Sequence, residues 1–171
     1  MRILVVSDSH GKADDIKRVL EQVGDIDMFI HLGDIESGVD YVRDLANCET
    51  HMVSGNCDYG VDLPWFDEFT IADKNVFITH GHRFHVGYDL EQLKEFAIDN
   101  GFDVVMFGHT HVPYLEIGDE VTVLNPGSLS YPRQENRQCT YALIDVDREG
   151  ELHYSHGVLQ SAKEKFYQEF F

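Results

Sequence analysis

Five short motifs, each closing an apolar run of strand-like character, hold most of the side chains in this sequence that could bind metal ions. They are Asp8-Ser9-His10 after residues 3–6, Gly33-Asp34 after 28–32, Gly55-Asn56-Cys57-Asp58 after 51–54, His80-Gly81-His82 after 76–79 and Gly108-His109-Thr110-His111 after 104–107. One Asp-x-His or His-x-His is weak evidence. The force lies in repetition: each run turns side chains toward a core and then delivers a polar residue where the chain leaves its carboxyl end. In an extended segment, side chains two apart point the same way, so Asp8 and His10 can face one ion across Ser9, and His109 and His111 can do so across Thr110. Gly33, Gly55, Gly81 and Gly108 suit tight transitions in which a side chain would obstruct the backbone. Oxygen and imidazole donors without thiolates suit manganese, iron, nickel or zinc at a catalytic site better than a structural Cys-rich zinc site. Two such ions, about 3.5–4 Å apart, turn a bridging water into hydroxide near neutral pH. The chemistry expected is hydrolysis with solvent as nucleophile.

This ordered series, completed by Asn125-Pro126-Gly127-Ser128, resembles that of the calcineurin-like metallophosphoesterases, and within them the small single-domain prokaryotic phosphodiesterase branch. The resemblance runs from Asp8 to about Arg133. It implies two divalent transition-metal ions, manganese first, with nickel, iron or zinc as alternatives. Asp8, His10, Asp34 and His111 would hold one ion, and Asp34 would bridge to a second held by Asn56, His80 and His109. Asp34, Asn56, His80 and His109 are taken as the catalytic group. His82 falls outside direct contact with either ion and, with His31 and Asp58, is expected to orient ligands. Arg83, Arg133 and Arg137 are phosphate-clamp candidates, with Arg133 favoured for its place after the 125–128 loop; a solvated surface role is the alternative for each. Cys57 stands where the wider family carries a His thought to protonate the leaving group. A thiol with an ordinary pKa of about 8.5 is a poor neutral-pH acid, so a small apolar neighbour is the preferred reading. The expected activity is a dinuclear phosphodiesterase acting on small or activated phosphoesters through a hydroxide bridging two metal ions. A phosphomonoesterase and a non-catalytic binding scaffold with this fold are the alternatives.

At 171 residues the chain fits one domain, taken as 1–171, with a substantial core. Hydrophobic residues at 43% exclude a disordered chain despite a net charge of -18. Such acidity repels polyanions, so stable nucleic-acid binding is not expected. The run at 3–6 is short for a signal-peptide core, no stretch reaches membrane-span length, and three cysteines without paired spacing argue against a disulfide framework. A cytoplasmic protein with no membrane partner is expected. A small phosphoester is its expected substrate. Homo-oligomerisation is left open; Phe166, Tyr167, Phe170 and Phe171 near the C-terminus are read as packing on their own domain, with a dimer contact as the alternative.

The elements that position the motifs follow from periodicity. A strand at 2–7, a helical face of Ile16, Val19, Leu20 and Val23 ending at Gly24, a strand at 27–31, a helix through Val39, Val42, Leu45 and Ala46 and a strand at 50–53 form an alternation that demands parallel pairing. Residues 66–72 and 75–79 flank Asp73-Lys74 without room for a helix and read as a hairpin. A third helix carries Leu90, Leu93, Phe96 and Ala97, followed by a strand at 103–107. Two more hairpins turn at Gly118-Asp119 and Arg148–Gly150. Pattern alone supports an α/β or α+β domain; two mixed sheets packed face to face between outer helices is what the resemblance implies.

Overall fold

A computed structural model describes residues 1–160. The aromatic segment at 166–171 lies outside them. The first parallel unit is β1 (Arg2–Val6), α1 (Ala13–Val23), β2 (Met28–His31), α2 (Val39–Ala46) and β3 (Glu49–Met52). A hairpin of β4 (Phe66–Ile71) and β5 (Lys74–Thr79), α3 (Glu91–Asp99), β6 (Val104–Met106) and a hairpin of β7 (Tyr114–Ile117) and β8 (Thr122–Asn125) come next, and β9 (Thr140–Val146) and β10 (Leu152–Val158) close the fold.

The strands form two mixed five-stranded sheets, ordered β10-β9-β1-β2-β3 and β4-β5-β6-β8-β7. In the first, β1 pairs in parallel with β2 and antiparallel with β9. In the second, β6 lies parallel between β5 and β8. Strand alternation separates the core into layers. Ile3, Val5, Met28 and Ile30 meet Val76, Ile78, Val104, Met106 and Leu124 between the sheets. Their neighbours Leu4, Val6 and Phe29 turn outward onto Ile16 and Val19 of α1 and Val42 of α2. On the far side, Phe77, Val105 and Val123 pack against Leu93 and Ala97 of α3. The helices α1, α2 and α3 are therefore outer layers, as the resemblance implied. The near-continuous apolar runs of β1, β2 and β6 follow from this: a strand with a sheet on one face and a helix on the other has no polar side.

β1, β2, β5 and β6 all run into loops bearing the candidate ligands, so the rigid sandwich fixes where those loops begin. Among the described residues no helix is long and apolar enough to cross a membrane. The three cysteines are unpaired.

Phe77 is the hub of the outer aromatic layer, with Phe66, Phe84, Phe96 and Phe102 at centroid distances of 5.6, 6.1, 5.0 and 5.2 Å. Phe77→Ala should cost about 3–5 kcal/mol in urea unfolding, whereas Ile117→Ala, at an exposed position, should stay within about 0.5 kcal/mol.

Candidate functional site

The loops after the strands bring the predicted residues together, by a route the extended-chain reading did not anticipate. Asp8, His10, Asp34, His109 and His111 all have positive φ, at 53°, 46°, 54°, 66° and 59°. Asp8 and His10 therefore converge through left-handed turns, and so do His109 and His111. The correction has a physical reason: Asp and His tolerate this region better than most residues, and hydrogen bonds hold it here. Asp8 and His10 donate their backbone N–H groups to the carbonyls of Gly33 and Asp34 at 3.0 and 2.9 Å.

Two overlapping groups of polar atoms share Asp8, which meets His10 and His111 in one and Asp34 and His80 in the other; a third joins His10 to Glu36 and Cys57. Asp8 Oδ1 lies 3.1 Å from His111 Nε2 and 4.0 Å from His80 Nε2. Asp34 Oδ2 lies 3.5 Å from His80 Nε2 and 3.9 Å from His10 Nε2, between the two groups. Asn56 Oδ1 is 3.2 Å from His80 Nε2. His109 joins by its ring, 5.2 Å from that of His80, and its backbone N–H donates to Asp8 Oδ2 at 3.1 Å.

Hydrogen bonds behind these residues decide which atoms carry protons. His80 Nδ1 donates to the Leu32 carbonyl and His111 Nδ1 to the Tyr131 carbonyl, each at 2.7 Å. His10 Nδ1 meets Glu36 Oε1 at 2.6 Å. A carbonyl or carboxylate can only accept, so the neutral form of each ring turns a bare Nε2 lone pair into the cluster. Asn56 Nδ2 points to Cys57 Sγ at 3.3 Å, which turns its carbonyl oxygen inward. Asp8 Oδ1 is fully buried and has no hydrogen-bond partner. Acceptors thus face acceptors, and such a cluster needs a cation, either protons or metal ions. Protons leave the expected imprint. Burial alone would raise Asp8 and Asp34, yet His111 and His80 hold Asp8, and His80 and Cys57 hold Asp34, below the usual carboxylate range. His80 is held above its ordinary value by Asp34 and Asp8 against burial. A metal would displace these protons.

Several residues position the donors. Asp58 accepts backbone N–H bonds from Asp34 at 2.8 Å, Glu36 at 2.6 Å and Gly55 at 2.7 Å, locking the second and third motif loops together. The neutral His31 ties the second loop to the first: Nδ1 accepts from Gly33 N–H at 3.2 Å and Nε2 bonds Ser9 Oγ at 2.9 Å. Ser128 Oγ donates to the Asp8 carbonyl and Asn125 Nδ2 to the Gly108 carbonyl, each at 2.9 Å. A Cβ on Gly108 would lie 2.0 Å from Ser7 Oγ, and one on Gly55 would lie 2.1 Å from Asp34 Oδ1, so these two glycines are forced by the approach of neighbouring loops. His82 stands with its ring 5.5 Å from His80 and 6.2 Å from His109, its buried Nδ1 without a partner and its proton affinity lowered by burial and by both histidines.

The cationic candidates separate. Arg83 lies over Trp65, and Arg137 donates to the Pro132 carbonyl. The charge of Arg133 is felt at His109, whose proton affinity burial, His80 and Arg133 push down. Burial and the neighbouring Asp34 carboxylate push the Cys57 thiol up to about 11, so it is neutral near pH 7. Glu36 and Tyr131 were not picked out from the sequence. Glu36, two residues beyond Asp34, offered a spacing signal; Tyr131 acts on His111 through its backbone, which leaves no signal in side-chain type.

A family model described as the calcineurin-like phosphoesterase superfamily domain matches residues 1–149. Phosphodiesterase YfcE of Escherichia coli K12 is 31% identical over 173 residues, covering 86% of this chain and 89% of its own. A crystal structure from Streptococcus pneumoniae TIGR4, described as a predicted phosphoesterase, superposes with a TM-score of 0.75 at 28% identity, over 92% of this chain and 97% of that one. Vacuolar Protein Sorting 29 from Cryptosporidium parvum shares the fold, with a TM-score of 0.72 at 16% identity over 94% and 98% of the two chains.

Burial lowers the pKa of His31 from 6.5 to about 4, outweighing the nearby Asp58 and Asp8 charges that raise it, with His80 adding to the lowering and Asp34 opposing it. Between those values the unfolded chain binds a proton that the folded chain refuses, so the His31 contribution to stability falls as pH drops from about 7 to 4 and levels off below. In urea unfolding, the stability lost between pH 7 and pH 5 should be about 2 kcal/mol smaller in His31→Gln than in the wild type. An equal loss in both would show that His31 is not the group responsible.

Proposed function

The chain belongs to the calcineurin-like phosphoesterase superfamily, and from that premise we propose that it is a dinuclear metal-dependent phosphodiesterase acting on small or activated phosphoesters. The observation that carries this reading is the buried, unpartnered Asp8 Oδ1 among inward-facing imidazole lone pairs. Asp8, His10, Asp34 and His111 would hold one divalent ion; Asp34, Asn56, His80 and His109 would hold the other. The mixed carboxylate, amide and imidazole donors suit manganese, iron, nickel or zinc, and manganese comes first on the family resemblance. When bound, such a pair supplies an ionised water near neutral pH and offsets charge on the phosphate oxygens.

The chain's own residues do the rest. Asp34, between the two groups, fixes their separation. Asp58 and His31 hold the loops that carry Asp34 and Asp8, so the donors need no rearrangement when substrate arrives. Arg133 would bind a phosphate oxygen near His109. Cys57 keeps its proton beside Asp34 and is a weak acid, so leaving groups that depart without protonation are favoured. The four carboxylates of Asp8, Asp34, Glu36 and Asp58 would cancel the four positive charges of two divalent ions, and a site without surplus positive charge suits a singly charged diester better than a doubly charged monoester. The diester preference also agrees with the naming of the Escherichia coli relative. A binding scaffold would have no use for the buried donor cluster. Reduced, unpaired cysteines suit a cytoplasmic setting.

Metal-reconstituted protein should hydrolyse bis(p-nitrophenyl) phosphate with a higher kcat/KM than p-nitrophenyl phosphate. Asp34→Asn should lose at least one bound ion by elemental analysis and all measurable hydrolysis. Undiminished turnover after rigorous metal removal would refute the mechanism, and faster monoester cleavage would refute the diester assignment.

A further inference from the structure

Tyr131 is an aromatic side chain left half-exposed at the edge of the donor cluster, where the fold gives it no core to fill. Its residue is 55% exposed. Its ring centroid is 5.2 Å from that of His10 in an edge-on arrangement, and Lys12 Nζ sits over the ring at 4.6 Å. Its backbone is pinned from both sides: the N–H donates to Ser128 Oγ at 2.9 Å, and the carbonyl accepts the His111 Nδ1 proton at 2.7 Å. Ser128 in turn holds the Asp8 carbonyl. The groups that place Asp8 and His111 therefore place the Tyr131 backbone as well, and contacts with His10 and Lys12 set its ring beside the cluster. Tyr59 and Tyr88 are more exposed, but among the described residues neither ring contacts the cluster, and Tyr59 reaches it only through its backbone N–H on the Cys57 carbonyl at 3.0 Å.

A fixed aromatic wall beside a polar centre discriminates substituents by stacking and apolar contact, at little entropic cost because the ring is already held. Resting on the phosphodiesterase reading above, we propose that Tyr131 selects phosphoesters whose non-leaving substituent is a planar aromatic or heteroaromatic group, an aryl or nucleoside diester rather than an alkyl one. Base and aryl stacking on a tyrosine amounts to about tenfold in affinity. Lys12, held on the same ring, makes the wall cationic and strengthens its hold on an electron-rich π system.

The test compares matched pairs on the metal-loaded chain. Phenyl p-nitrophenyl phosphate and methyl p-nitrophenyl phosphate share a leaving group, and phenylphosphonate and methylphosphonate report binding by calorimetry without turnover. The aryl member should be favoured about tenfold in both kcat/KM and Kd. Tyr131→Ala should bring both ratios close to one with metal content unchanged, and Tyr131→Phe should retain them. If the alanine variant does not fold, Tyr131→Leu, which keeps bulk but lacks a π face, takes its place. A wild-type ratio near one, a ratio unmoved by the substitution, or loss of bound metal in Tyr131→Ala would overturn the proposal, the last by making the ring a prop for His10. Phosphonate ratios that behave as expected while neither diester is hydrolysed would leave the aromatic wall standing and defeat the phosphodiesterase reading instead.

Discussion

Two hydrogen-bond acceptors held 3.1 Å apart in a buried site repel each other unless a cation stands between them, and Asp8 Oδ1 and His111 Nε2 are so held. The surrounding structure can be understood as the means of enforcing that opposition. Carbonyls of Leu32 and Tyr131 take the outward protons of two histidines, and Glu36 takes that of a third. With those protons committed outward, the inward nitrogens act as bases. The cost of gathering such atoms is recovered when a cation binds, so affinity for the ion and the free energy of ordering the loops are coupled.

Backbone strain belongs to the same arrangement. A non-glycine residue in the left-handed region costs about 1 kcal/mol or more, and Asp8, His10, Asp34, Glu36, His109 and His111 all occupy it. Each is tied down from outside its own loop. Asp58 gathers the backbone of Asp34 and Glu36, Gly33 and Asp34 receive the N–H groups of Asp8 and His10, and the Asn125–Ser128 turn braces Gly108 and Asp8. The strain is tolerable because the three loops that carry it are braced by Asp58 and the Asn125–Ser128 turn in one hydrogen-bond network, built on strands whose positions the double-layered core fixes.

Much of this was legible in the residues. The apolar runs ended at or one residue beyond the ends of β1, β2, β5 and β6, the expected hairpin joined β4 to β5 with its turn one residue earlier, at Ala72-Asp73, and the ordered motifs named the side chains that meet. The sheet order was less accessible. That β9 returns beside β1, and that β8 rather than β7 lies beside β6, depends on long-range pairing that local periodicity does not encode. At the site, residue type revealed the donors but not how they converge. Side-chain alternation suggested extended pairs, whereas hydrogen bonds between loops impose left-handed turns. The partners of the histidines were hidden for a related reason: two of the three are backbone carbonyls, which any residue supplies.

The most direct measurement of the central claim is anomalous diffraction from crystals loaded with manganese, recorded at the manganese edge. Two peaks are predicted, about 3.5–4 Å apart. One should contact Asp8, His10 and His111, the other Asn56, His80 and His109, with Asp34 touching both. A single peak, or density seated instead among His10, Glu36 and Cys57, which also lie close enough to share an ion, would contradict the account.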